Sequence, residues 1–243
     1  MNEDITKREV LLSTIIICVM LIIGKLIVDS IVNSATEKAF DLQTATQVYD
    51  KETFQYIKNV NAGMFLAEGQ LIADELITLP ELHGTYSKIE KVKEEYTEHT
   101  RTVTKTDEKG NSYTETEPYY EWDVVKREEF VTKSFSFLGQ RFTAKEIKYK
   151  VPTSYNKTIY KNSDVRYLYY TAPVVVEGTI IGNANSKTFK DMEFKKGYTI
   201  EKTIQKAEKK IENAPIVFWI LWSLLIATLV ILFIKAENNW LNK

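Results

Sequence analysis

The sequence predicts an α+β membrane protein, in which two transmembrane helices flank one β-rich extramembrane domain. That domain carries a long projecting β-hairpin and joins the spans through membrane-proximal helices. Three observations predict this. Residues 216–234 read IVFWILWSLLIATLVILFI, uncharged and polar only at Ser223 and Thr228. At about 1.5 Å per residue the run is roughly 28 Å long, against a hydrocarbon core of about 30 Å. A buried helix of a soluble domain would keep a polar face, and this run has none. Residues 10–28 are a second apolar run, interrupted at Ser13, Thr14 and Lys25. Between the two lie runs of Thr, Tyr, Val and Ile punctuated by Gly, Pro and Asn, the pattern of strands and turns.

Composition bounds the function. In a chain of 243 residues, two spans leave roughly 180 residues for the intervening domain, enough for a real core. The 32 basic and 33 acidic residues nearly cancel, which removes the net basic charge expected of a nucleic-acid binder. The single cysteine, Cys18, lies inside the first apolar run. The domain therefore has no internal disulfide and must be held by its core.

Taken in order, residues 1–9 form a tail in which Lys7 and Arg8 precede the apolar run 10–28, the charge order of a secretory signal. Asn33 sits three residues before a cut after Ala35, a poor cleavage site, so 10–28 is predicted to be an uncleaved signal-anchor. Lys25 lies near the far end of the span and is expected to snorkel to the headgroups, since neither span offers a partner charge for an ion site. Residues 29–62 are read as a stalk helix. Val32, Ala35, Ala39, Leu42, Thr46 and Tyr49 recur at helical spacing before Asp50, Lys51 and Glu52 interrupt them. The stripe suits either packing on its own domain or a seam between copies.

The β-rich body is placed at 63–196. Phe65, Leu66, Leu71, Ile72, Leu76, Ile77 and Leu79 run to Pro80 and suggest strands. The hairpin spans 86–128 and turns at Asp107, Glu108, Lys109, Gly110 and Asn111, a polar loop with a Gly-Asn pair. If Thr104 faces Thr114, then Tyr96 faces Trp122 and Glu98 faces Tyr120, pairs that stabilise a ribbon by up to about 1 kcal/mol each. From 98 to 117 the ribbon is polar on both faces and cannot be buried, so it projects. Its tip, Lys105, Asp107, Glu108, Lys109, Gly110 and Asn111, is either a solvated turn or a partner-binding site. Further strands are expected over 130–150, 165–170 and 174–182, with a bulge or a boundary at Ala172 and Pro173.

Helical period returns over 197–214, with Ile200, Ile204, Ala207 and Ile211 on one face. Pro215 suits the first turn of the second span, placed at 215–234. Trp219 and Trp222 are expected at the headgroup level. Lys206, Lys209 and Lys210 are candidates for contact with acidic headgroups, or a solvated face. A second tail follows at 235–243. Lys7, Arg8, Lys235 and Lys243 fall on one side of the membrane, while Lys38 and the lysines before Pro215 fall on the other, so the charge count is undecided. The signal-like order at the N-terminus favours tails in the cytosol and the domain extracytoplasmic or lumenal.

No catalytic constellation emerges. There is no phosphate-binding Gly-Lys-Ser/Thr loop, GxGxxG, HExxH or GxSxG, and no cysteine nucleophile in the domain. His83 and His99 are the only histidines, which argues against a metal centre. Glu94, Glu95 and Glu98 lack the Asp-rich spacing of a calcium loop. The expectation is a non-enzyme with no cofactor and no metal.

Several short motifs carry a family likeness. Glu68-Gly69-Gln70-Leu71, Pro80-Glu81-Leu82, Glu90 through Tyr96, Tyr120-Glu121-Trp122, and Asp164-Val165-Arg166-Tyr167 with the later Gly178 together resemble the transmembrane protein 43 (LUMA) family. The resemblance covers 37–183, and this chain has one C-terminal span where that family has several. It implies a lumenal or external domain, self-association and a scaffolding role, with no catalytic residues. The resulting expectation is a membrane-anchored scaffold or assembly protein, a homo-oligomer in the lipid bilayer that binds another membrane or surface protein and no nucleic acid. Two other readings remain open, a pore or transporter accessory subunit and a cell-surface exclusion or immunity protein.

Overall fold

The computed structural model describes residues 7–185 and 188–241. The first six residues and the last two, Lys243 among them, lie outside that set, as do those parts of the expected tails. The chain is mixed helix and sheet. Two long apolar helices lie at its ends, α1 (Lys7–Thr44) and α3 (Ile200–Leu241), with a β-rich region between them. That region contains β1 (Thr46–Val48), α2 (Lys51–Val60), β2 (Gly63–Ala73), β3 (Lys88–Thr106), β4 (Ser112–Val131), β5 (Phe135–Phe137), β6 (Gln140–Phe142), β7 (Ser154–Tyr160), β8 (Val165–Ala172), β9 (Val175–Asn185) and β10 (Thr188–Lys196). One sheet has the order β10-β9-β2-β5-β6, with β1 joined to β2, and the other has the order β4-β3-β8-β7. The chain divides into two compact units, Met1–Gln47 with Gly63–Leu66 and Tyr198–Lys243, and Val48–Ala62 with Ala67–Gly197.

In the first unit α1 and α3 lie side by side and antiparallel. Arg8 Nε meets Glu237 Oε1 at 3.1 Å at one end, and Gln43 Nε2 donates to Glu208 Oε1 at 2.6 Å toward the other. Both helices are long and apolar enough to cross a membrane. Three of their hydroxyl side chains are satisfied locally. The hydroxyls of Thr14, Ser223 and Thr228 donate to the carbonyls of Val10, Trp219 and Leu224, four residues back. Gly24 is a point of close approach between the pair. A Cβ there would stand 2.8 Å from Trp222 Cδ1 and 3.1 Å from Trp219 Cη2.

Two expected helix boundaries are corrected. The stalk 29–62 is not one helix: α1 ends at Thr44 and α2 begins at Lys51. Asp50 is the reason, since its backbone is extended (φ −135°) and its carboxylate accepts the Thr53 N–H at 2.7 Å and the Thr53 hydroxyl at 2.8 Å, starting a new helix. Pro215 does not start a helix. It lies inside α3, so 197–214 and 215–234 belong to one continuous element. The proline forfeits only its own backbone donor, a loss that a long helix tolerates when its other bonds hold.

In the second unit Phe54 is the hub of an aromatic core. It stacks on Phe189 at 4.6 Å and meets Phe137 edge-on at 5.9 Å. Tyr149 lies edge-on to Phe194 at 5.0 Å and to Phe135 at 5.9 Å. A second cluster, Leu82, Ile89 and Tyr169, lies under the four-stranded sheet. Asp74 ties β2 to the chain entering β5, accepting from Ser134 Oγ at 2.6 Å and Ser136 Oγ at 2.5 Å, with Arg141 Nε at 2.9 Å.

The strand expected through 150 stops at Phe142. Thr143 and Glu146 bond reciprocally, backbone N–H to side chain in both directions at 2.6 and 3.2 Å, which turns the chain as a capping box does. The break at Ala172 and Pro173 is a strand boundary. Strands β7 and β10 are additions to the expected set. Both are sheet edges, rich in polar residues as exposed edges are.

Candidate functional site

The site is the outer part of the β3–β4 hairpin. Strand β3 pairs with β8 only from Lys88↔Ala172 to Glu95↔Val165. Its pairing with β4 continues from Tyr96↔Trp122 to Thr106↔Ser112. The hairpin thus outruns its sheet by roughly 34 Å at about 3.4 Å per residue, as a two-stranded ribbon with both edges unpaired among the described residues beyond Tyr96, whose N–H still donates to the Asp164 carbonyl at 2.9 Å. The turn sets the register, Thr104 opposite Thr114 and Glu98 opposite Tyr120, as the sequence predicts. Near the base the register slips between Lys93↔Lys126 and Glu94↔Val124, leaving Val125 as an extra residue in β4. A bulge of this kind sharpens the local twist where the ribbon leaves the sheet.

The pleat divides the ribbon into two chemically different faces. One carries aromatic rings. Tyr96 stacks on Tyr120 at 5.6 Å and lies 5.2 Å from Trp122, which meets Tyr160 edge-on at 6.0 Å. The Arg166 guanidinium lies 4.2 Å above the Trp122 ring and is fixed by Glu94, 2.7 Å from its Nε. The Tyr120 hydroxyl donates to Glu98 at 2.6 Å, and this bond pushes its pKa up. Tyr96, Tyr120 and Tyr160 are 42, 53 and 61% exposed, so this is a surface stripe and not a core. The other face carries Thr97, His99, Glu121 and Asp123. His99 Nε2 lies 2.6 Å from Asp123 Oδ2 and 3.7 Å from Glu121 Oε1, and the ring stacks on Tyr119 at 5.4 Å. The Thr97 hydroxyl donates to Asp123, and that bond, then His99, holds the Asp123 carboxyl below its usual range.

The tip residues singled out in the sequence largely serve the turn. Asp107 accepts the N–H groups of Asn111 at 2.8 Å and Lys109 at 2.9 Å, and Gly110 takes φ +83°. The Asn111 bonds chiefly lower the Asp107 pKa. Lys105 spans Glu115 at 2.8 Å and Glu117 at 2.6 Å across the ribbon, and those bonds raise its pKa. Glu108 and Lys109 are exposed at the apex.

The candidate membrane-interface residues fall elsewhere. Lys25 pairs with Asp29, one turn along α1, so it does have a partner charge. Trp222 Nε1 donates to the Met20 carbonyl at 2.9 Å, and both Trp219 and Trp222 lie against Gly24. These indoles therefore join helix to helix. Lys206 donates to the Tyr198 hydroxyl at 2.6 Å, while Lys209 and Lys210 are exposed.

The tip residues belong to the second unit and the candidate membrane-interface residues to the first. The aromatic stripe was implicit in the predicted cross-strand pairs. The grouping of His99, Glu121 and Asp123 was missed, although the same register places them on one face. Comparison with protein-family models, curated proteins and solved structures finds no match to this chain.

Proposed function

We propose that the chain is a two-span, membrane-anchored scaffold or assembly protein that acts through protein contacts of its extramembrane ribbon, as a homo-oligomer. One observation carries the reading: a ribbon that leaves its sheet carries an exposed aromatic stripe with a fixed arginine. Exposed Tyr, Trp and Arg side chains are the residue types that supply most interface energy, and unpaired strand edges accept a further strand. On this reading α1 and α3 span the bilayer, the tails are cytosolic and the β-rich domain is extracytoplasmic or lumenal. The likeness to the transmembrane protein 43 family points the same way. The tip contributes by holding the ribbon in register, and Tyr96, Tyr120 and Trp122 make the contacts.

The test is co-purification in mild detergent. Wild-type protein should bring partners with it, and the triple variant Y96S/Y120S/W122S should lose them while a variant lacking 107–111 retains them in part. If the triple variant keeps every partner and the same oligomeric state, the stripe is not the contact surface.

A further inference from the structure

We propose that His99, Glu121 and Asp123 form a binding site for a divalent transition-metal ion, on the face of the ribbon opposite the aromatic stripe. The hairpin register builds the site. Thr97 pairs with Glu121 and His99 with Tyr119, so the pleat turns Thr97, His99, Glu121 and Asp123 to one side. One donor atom from each of His99, Glu121 and Asp123 lies within 4.8 Å of the other two. With zinc about 2.0–2.2 Å from each ligand, tetrahedral donor atoms stand roughly 3.3–3.6 Å apart, so rotation of the exposed Glu121 side chain is enough to close the spread.

The charge pattern of the hairpin supplies an independent argument. The other acids of β3 and β4, Glu98 excepted, are each faced by a lysine or arginine, as Glu94 is by Arg166 and Glu117 by Lys105. Glu121 and Asp123 are different. Among the described residues His99 is the only basic side chain that either meets within ion-pair distance. Two carboxylates and an imidazole nitrogen converge here with no lysine or arginine within ion-pair distance among the described residues. A bound cation completes this arrangement.

The surroundings orient the donors. Thr97 Oγ1 holds Asp123 and lies 3.1 Å from His99 Nε2, while Tyr119 stacks on the ring. Hydrogen-bond partners of this kind fix ligands in metal sites. One imidazole with two carboxylates suits zinc or a neighbouring first-row ion, whereas calcium and magnesium favour all-oxygen shells. Three protein ligands leave the remaining coordination to water. This site does not depend on the scaffold reading, since a soluble or membrane-bound ribbon would hold it equally.

Calorimetric titration of the full chain in detergent with zinc chloride tests the proposal. The expected result is one ion per chain, with H99A and D123N each weakening binding about tenfold or more and H83A leaving it unchanged. Calcium and magnesium should give no comparable binding. Circular dichroism checks that the variants keep their strands, and E121Q, at an exposed side chain, repeats the test should either disturb the hairpin. The site is refuted by zinc failing to bind wild-type protein up to millimolar concentration. It is equally refuted if H99A, D123N and E121Q all titrate like wild type, or if binding follows His83.

Discussion

At the scale of single residues, stability rests on a few polar groups whose partners are defined. Asp74 is nearly buried, and burial alone would raise its pKa, but Ser134, Ser136 and Arg141 together outweigh burial and lower it. A carboxylate with a lowered folded pKa adds stability that is fully present above its unfolded value of about 3.9. That stability disappears as pH falls through the folded value. Asp74→Ala should therefore cost about 2 kcal/mol at neutral pH, and denaturant melts should show the gap from wild type narrowing below about pH 4. Tyr149 has the opposite balance. Its hydroxyl has no hydrogen-bond partner among the described residues, and burial pushes its pKa up to about 12. Folding then favours the protonated phenol, so its contribution is present below about pH 10 and is lost as pH rises toward about 12. Tyr149→Phe should cost nothing at neutral pH and gain up to about 1 kcal/mol. A loss of stability in a thermal melt would show that the hydroxyl has a partner.

At the scale of elements, the approach of α1 to α3 at Gly24 and the ribbon register carry most of the organisation. Gly24→Val would drive its side chain into the Trp222 and Trp219 indoles. Overpacking of this kind costs about 1–3 kcal/mol, and the thermal midpoint of the detergent-solubilised protein should fall. If Gly24→Val leaves both the midpoint and the Trp fluorescence unchanged, the helices do not meet there. The hairpin was legible because Gly110 and Asn111 fix a turn, and a turn fixes the pairs above it as far as the bulge at Val125. The apolar helices were legible from composition. The break at Asp50 was visible only as an interruption, because nothing in the helical spacing says that the aspartate caps a new helix. Pro215 misled because its preference for a first turn is weaker than the continuity of the helix around it. Strands β7 and β10 escaped notice because edge strands carry polar side chains, and in β10 the positive φ of Asp191 breaks the alternation as well. His99 and Asp123 are far apart in sequence, and only the register brings them to one face.

At the scale of the whole molecule, an apolar helix pair is joined along the chain to a β-rich domain whose ribbon offers two surfaces, one aromatic and one of metal-ligand type. The sequence alone left the tip as either a solvated turn or a partner-binding site, because it is the most polar and exposed part. The side chains there turn out to be engaged largely with each other, and the exposed rings lie further down. The two-span arrangement requires the terminal helices to lie in lipid, which alkaline carbonate extraction of membranes expressing the full chain tests most directly. The intact polypeptide should stay in the membrane pellet, as integral two-span proteins do, and its release into the supernatant would contradict the account.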